Sequence, residues 1–411
     1  MQVSRVAPLG KESDMALDQI AYINSNGDLL IINPDGTEIR ALTSGVQPNS
    51  GSAGGVTAQA LNLDRFFTWP TWAPDGSKIA VSRVRAVNGG SQISLEVIDT
   101  STAQSRTAYE NDTGGVVAQG TPHYIYWSPG SRYLSFLAST ANGLSLFIKD
   151  TENDTGAIFV AMGAPLYWHW RRGESAIMMH IGRDLELATL PFTGESRRLV
   201  SSISPFRAPA ISPDGTQFIY IKGEEASSSL IVAPIDTPEE GTKLLDVGPL
   251  SAFAWSPDGT EIAVADQQDS RITGYRSLVV VSANDGTQTR TIAQESFLAF
   301  FWSPQGERLA WVGFDPAGRT FEWSVGEKRG ESVKRLFKFQ PARDMVTMLS
   351  FFDQYAYSNS PWSPDGTRLV VAGTTGDVAR PSNGHSATGD RIFVLDATGG
   401  SPPLDIAGGT V

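Results

Sequence analysis

Short apolar runs recur along the whole chain, each bounded by Gly, Pro, Asp or Asn. Ile79-Ala-Val81, Phe218-Ile-Tyr220, Ile262-Ala-Val264 and Leu309-Ala-Trp311 are examples. Runs this short, rich in β-branched and aromatic residues and closed by turn formers, predict buried strands rather than helices. No 11-residue stretch stands out with a 3.6-residue apolar period, so almost no helix is expected.

The strands follow a repeated phrase. Trp72-Ala-Pro-Asp-Gly76, Trp127-Ser-Pro-Gly130, Ile211-Ser-Pro-Asp-Gly215, Trp255-Ser-Pro-Asp-Gly259, Trp302-Ser-Pro-Gln-Gly306 and Trp362-Ser-Pro-Asp-Gly366 each precede an apolar strand. Trp170-Arg-Arg-Gly173 is a degraded copy, with Ile177 at the same offset as Leu134 and Ile262. Successive anchors lie 55, 43, 41, 44, 47 and 60 residues apart, and the short spacings are those of a four-stranded propeller blade. The phrase suits a hairpin: Pro presets φ, Asp closes the turn with its side chain, and Gly takes the positive φ. The Trp is expected to pack on the neighbouring blade. Third and fourth strands follow each anchor strand, as in 277–282 and 288–293. A set without its Trp opens the chain at 20–42, and the last set ends at 404–407. Strand pairs count eight and anchors count seven. We therefore expect an all-β, closed β-propeller of eight four-stranded antiparallel blades, with 3–9 supplying the missing inner strand of the first blade. Seven blades with a composite closing blade is the alternative. Residues 1–18 form an N-terminal arm and 19–411 a single propeller domain.

These phrases resemble the TolB-like propeller repeat, a relative of WD-type repeats, in which a Trp-Ser-Pro-Asp-Gly hairpin leads into an Ile-Ala-Phe type strand. The resemblance runs from Ile20 to the end. It implies a platform for binding, a gate beside a peptidase domain or, less often, an enzyme. TolB itself carries an α/β domain before its propeller, which the 18 or so residues here do not supply. The Gly-x-Ser-x-Gly elbow of a propeller peptidase is absent from the sequence.

Composition narrows the classes. Gly and Pro, 41 and 24 of 411 residues, exceed the roughly 12% of average proteins and fit a turn-rich fold. A net charge of −12 argues against nucleic acid, whose phosphates reward clustered Lys and Arg. With no cysteine, disulfides, thiolate catalysis and zinc–thiolate sites are ruled out. No run approaches 18 apolar residues, so no membrane span is expected. The expected location is periplasmic or extracellular if a leader has been removed, and otherwise cytoplasmic.

In a blade of strands A to D, the A–B and C–D turns lie on one face, and the B–C and D–A loops on the other. The insertions at 44–64, 84–92, 110–121, 266–276, 340–350 and 373–390 all fall in the second set. Long loops gathered on one face of a rigid scaffold are where binding is expected. Two of them share a phrase, Gly54-Gly-Val-Thr-Ala-Gln59 and Gly114-Gly-Val-Val-Ala-Gln119. The strand-A segments are aromatic: Phe66-Phe-Thr-Trp69, Tyr124-Ile-Tyr126, Tyr167-Trp-His169, Phe300-Phe301 and Tyr355-Ala-Tyr357. Phe66, Tyr124, Tyr167, Phe206, Arg207 and Tyr355, with Gln59 and Gln119, are the candidate binding residues, ringing the channel mouth. Aromatic and Arg side chains bring large contact area and bidentate bonding to few positions.

Of the four histidines, His123, His169, His180 and His385, none is spaced as a metal-ligand pair. Asp150-Thr-Glu152-Asn-Asp154 is the best calcium-loop candidate, short of the required oxygen set. No catalytic residue, metal or cofactor is expected. The reading is a non-catalytic scaffold that binds a protein or peptide partner through its looped face, with a place in a larger envelope assembly as a further possibility. The alternative is a polysaccharide lyase or hydrolase with its site in the channel mouth.

Overall fold

A computed structural model describes residues 18–43, 65–87, 90–110, 122–140, 143–205, 207–223, 228–269, 274–287, 289–315, 320–330, 332–375 and 389–411. Its strands form consecutive antiparallel meanders, one per blade. The second to seventh blades have four strands each. They begin on the inner strands Arg65–Trp72, Pro122–Trp127, Leu166–Trp170, Ala210–Ile211, Leu250–Trp255 and Phe297–Trp302. The eighth begins at Trp362, which bridges to Leu369, and continues through Arg368–Thr374, Arg391–Asp396 and Leu404–Gly408. The first has Ile20–Ile23, Leu29–Ile32 and Arg40–Ala41, and its inner position is held by Thr410. Ile23 and Thr410 exchange two backbone hydrogen bonds, at 2.8 and 2.9 Å. The count is therefore eight, and the two ends of the chain share one blade. The expectation for 3–9 falls on a segment that lies outside the described residues; beside Ile23 the inner side of the blade is taken by Thr410. Pairing the ends across one blade closes the ring without leaving an inner strand edge open.

The anchor Trp residues join blade to blade. Trp127, Trp255, Trp302 and Trp362 are buried, and each donates its indole N–H to a carbonyl on the preceding blade's inner strand: Thr71, Ala210, Ala254 and Phe301, at 3.0 to 3.3 Å. Trp170 instead donates to the Ser135 hydroxyl at 3.0 Å. A buried indole needs a partner for its polar edge, and here the partner is the next blade. Each hairpin keeps its turn chemistry. Asp258 accepts from Ser256 Oγ, Thr260 N and Thr260 Oγ1 at 2.6, 3.0 and 2.8 Å. Gly259 takes a φ of +73° with Pro213 of the preceding hairpin beneath it. In the anchors at Trp127 and Trp170, Ser131 and Glu174 stand four residues after the Trp, where the others have Gly, and take the left-handed slot with φ of 64° and 59°. Glu174 uses it to reach back to the third blade, accepting from Gly130 N at 2.7 Å and from the Ser128 hydroxyl.

The expectation of almost no helix holds, and the short α-helices among the described residues lie together at one place. Between the seventh and eighth blades, helix α1 (Arg343–Ser350) and helix α2 (Phe352–Tyr355) stand where a loop and an inner strand are expected from the sequence. Met345, Met348, Leu349, Phe352 and Tyr355 are all buried. They fall at i, i+3, i+4, i+7 and i+10, one continuous helical stripe. The stripe is buried against inner strands, so the pair fills the central channel as a plug.

Candidate functional site

The plug is gripped by most of the ring. Tyr355 stacks on Trp69 of the second blade, with ring centroids 5.2 Å apart and planes 15° from parallel, and meets Tyr124 of the third at 5.1 Å. Tyr357 meets His169 of the fourth edge-on at 4.3 Å. Asp353 accepts from Ala208 N of the fifth at 3.3 Å. Phe352 packs on Tyr275 of the sixth and on Phe300 and Phe301 of the seventh, at 5.8, 5.0 and 6.1 Å. Asn359 donates to Pro70 O at 3.3 Å.

Trp69 and Tyr124 both stand three residues before their anchor Trp. Both have positive φ, 58° and 51°, at an irregularity in strand register. Positive φ is unfavourable for bulky residues, and a bulge re-aims a side chain. Here it turns both rings against Tyr355.

Of the candidate residues, Tyr124, Tyr167, Arg207 and Tyr355 are brought together, but around the plug rather than around an open mouth. Tyr355 belongs to α2 and not to an inner strand, which corrects its assignment. Tyr167 bonds the Gln354 side chain, and burial with the nearby Asp353 carboxylate pushes its phenol up to about 12. Burial raises the Asp353 carboxyl above the usual range, against the Ala208 N–H and the Arg207 charge, which lower it. Arg207 donates to the Pro249 carbonyl and offers its own carbonyl to His180 Nδ1 at 2.6 Å. Burial holds His180 below the ordinary imidazole range despite its two carbonyl neighbours. Phe66 lies elsewhere, against Gly27 in the B–C turn of the first blade. Phe206, Gln59 and Gln119 lie outside the described residues, as do the loops carrying the shared phrase. The expectation missed Phe351, Phe352, Asp353 and Gln354, although the apolar stripe from Met345 to Tyr355 was there to be read.

His169 is buried, accepts from Ile211 N at 3.3 Å, and is pushed down to about 3 by desolvation. It is a neutral packing residue. The segment 150–154 turns its carboxylates toward Arg side chains and solvent rather than toward a common centre. Asp150 pairs with Arg132 at 2.7 Å, and the buried Lys149 ammonium bonds the Asn153 and Thr155 carbonyls. Among the described residues no group of three or more His, Asp or Glu is placed to hold a metal ion.

Below the plug, on the face of the short hairpins, the channel stays open as a cavity of about 410 Å³. Its walls come mainly from the first, second and eighth blades, with Pro304 of the seventh, and its roof from α1, and they include Trp69, Trp72, Met345, Met348, Tyr357 and Asp344. Among the described residues no helix is long and apolar enough to cross a membrane.

No family model matches the chain. An uncharacterized protein of Agrobacterium fabrum is 25% identical over 184 residues, and the match spans 44% of this chain and 59% of that protein's length. Among solved structures, the dihydro-heme d1 dehydrogenase NirN gives a TM-score of 0.58 at 11% identity, covering 100% of this chain and 78% of that one. Oligogalacturonate lyase from Vibrio parahaemolyticus gives 0.51 at 14% identity, covering 76% and 84%. TolB from Acinetobacter baumannii gives 0.41 at 15% identity, covering 84% and 81%. At these identities the likeness to the first two speaks for architecture alone, in agreement with the blades described above: the chain is a β-propeller.

Proposed function

We propose that this protein is a binding propeller of the TolB-like kind, recognising a protein or peptide partner through its looped face. The observation that carries the reading is the exposed face of the plug. By closing the channel, α1 and α2 make a floor, and at their junction Phe351 stands 48% exposed. It is flanked by the exposed Thr347 and Ser350. An aromatic side chain held out on a short rigid element, at the centre of a looped face, is the composition of an interface anchor. A lyase or hydrolase would need acid and base groups open to the mouth. Asp353 and Tyr167 instead face the plug's packing, and their surroundings favour the protonated forms.

A photo-reactive phenylalanine analogue at position 351 tests this, with a control at Thr367 on the opposite face. Cross-linking to a protein from extracts of the source at 351 and not at 367 is expected, and the cross-linker-free protein should retain that same protein in affinity capture while Phe351→Ser loses it at unchanged melting temperature. Capture at 367 alone would mean that the working face is the other one.

A further inference from the structure

The cavity under the plug has a definite chemical character. Its volume, about 410 Å³, is within the range that encloses a small organic molecule. Aromatic and thioether side chains line it: Trp69, Trp72, Tyr357, Met345 and Met348. Three charged residues reach the wall. Arg368 and Asp18 are bound to each other at 2.6 Å, and Arg368 also lies 3.6 Å from Asp365. The third, Asp344, has no ion-pair partner among the described residues, and its one hydrogen bond there is a long one, 3.5 Å from the Thr68 hydroxyl. The wall thus carries one carboxyl without an ion-pair partner, held above its ordinary range by burial and opposed by the Arg343 charge and the Thr68 hydrogen bond, beside half-buried indole and phenol rings. Ring faces are negative at their centres and attract cations, the more so where water is excluded. A cation in the cavity would favour the ionised form of Asp344 that burial disfavours, whereas a neutral apolar ligand would leave it only the Arg343 charge, and an anion would meet the ionised form with repulsion.

We propose that this cavity is a binding site for a small organic cation, an ammonium carrying an apolar body, with Asp344 as its counter-charge and Trp69, Trp72 and Tyr357 as its aromatic walls. The site faces away from the looped surface, so it stands or falls independently of the partner-binding reading. Its opening lies among the short hairpins, which are rigid, so the ligand enters a preformed cavity.

The probe is choline, compared with dimethylbutanol, which has the same shape with a carbon in place of the charged nitrogen. Indole fluorescence and calorimetry on the full chain report binding. Choline is expected to bind about tenfold or more tightly than the alcohol, as a desolvated cation–π contact with a carboxylate should provide. Asp344→Asn should bring the two affinities together by weakening choline and leaving the alcohol unchanged. Trp72→Leu, at a position apart from the plug's ring contacts, should also weaken choline more than the alcohol. If Asp344→Asn fails to fold, the choline-to-alcohol ratio of the wild type and of Trp72→Leu decides the matter. Equal binding of the two probes, no choline binding, or a ratio untouched by both substitutions would overturn the proposal.

Discussion

Replacing Trp302 by Ala tests the blade-to-blade architecture most directly. The side chain is 3% exposed, in the largest apolar cluster, and donates to Ala254 O of the sixth blade at 3.2 Å. Truncating a buried Trp to Ala costs about 3–5 kcal/mol through lost transfer energy and the remaining cavity. The hydrogen bond accounts for about 1 kcal/mol of this. If the 411 residues unfold as one unit, the unfolding entropy is about 0.9 kcal/mol/K, from about 2 cal/mol/K per residue. A loss of about 4 kcal/mol then lowers the melting temperature by roughly 5 °C. Trp302→Phe keeps most of the volume but loses the indole donor, so it should fall by about 1–2 °C. Scanning calorimetry measures both, and acrylamide quenching checks that the indole is shielded. A shift below about 1 °C for Trp302→Ala, or an indole open to quencher, would refute the argument that Trp302 fastens the seventh blade to the sixth.

Phe352→Ala should loosen the plug more than the ring. Its contacts to Tyr275, Phe300 and Phe301 are worth about 3–5 kcal/mol, so limited proteolysis should cut within 342–361 while the remaining strands stay protected. Asp353→Asn should raise the melting temperature at neutral pH. Burial raises the folded carboxyl above its ordinary value, so its contribution is fully present at low pH and is lost as pH rises through the folded pKa. The Asn variant, which keeps an oxygen for Ala208 N, should lack that decline, and parallel melting curves from pH 4 to 8 for both proteins would contradict this. Thr410→Pro removes the N–H that bonds Ile23 O at 2.9 Å. It should cost about 1–3 kcal/mol and speed amide exchange at Ile23, whereas unchanged exchange would mean that this pairing does not hold the ring shut.

The propeller was legible because its determinants are local. Pro and Gly in a fixed phrase set the hairpin, a Trp sets the contact between blades, and a period of 41 to 60 residues repeats the unit. Each of these is a property of a few adjacent residues, so Trp255, Trp302 and Gly259 have the burial and φ expected of them. Even the degraded anchor at Trp170 keeps its place, because Glu174 adopts the left-handed conformation that Gly adopts elsewhere.

The candidate site was legible only in part. Tyr124, Tyr167 and Arg207 stand beside Tyr355, Gln354 and Asp353 of the plug, since strand position decides which side a residue approaches. What they meet there differs from the expectation, because Tyr355 belongs to α2 and not to an inner strand. The stripe Met345, Met348, Leu349, Phe352, Tyr355 has helical period, but short apolar runs elsewhere in the chain made strand the default.

Local rules thus determined the blades, their hairpins and the handover from one Trp to the next carbonyl. The tertiary structure decided how the ring closes, which segment fills its centre, and which mouth stays open. Those outcomes depend on contacts between residues hundreds of positions apart, Ile23 with Thr410 and Trp69 with Tyr355. Loop closure over such distances leaves no periodic trace in the residues that make the contact.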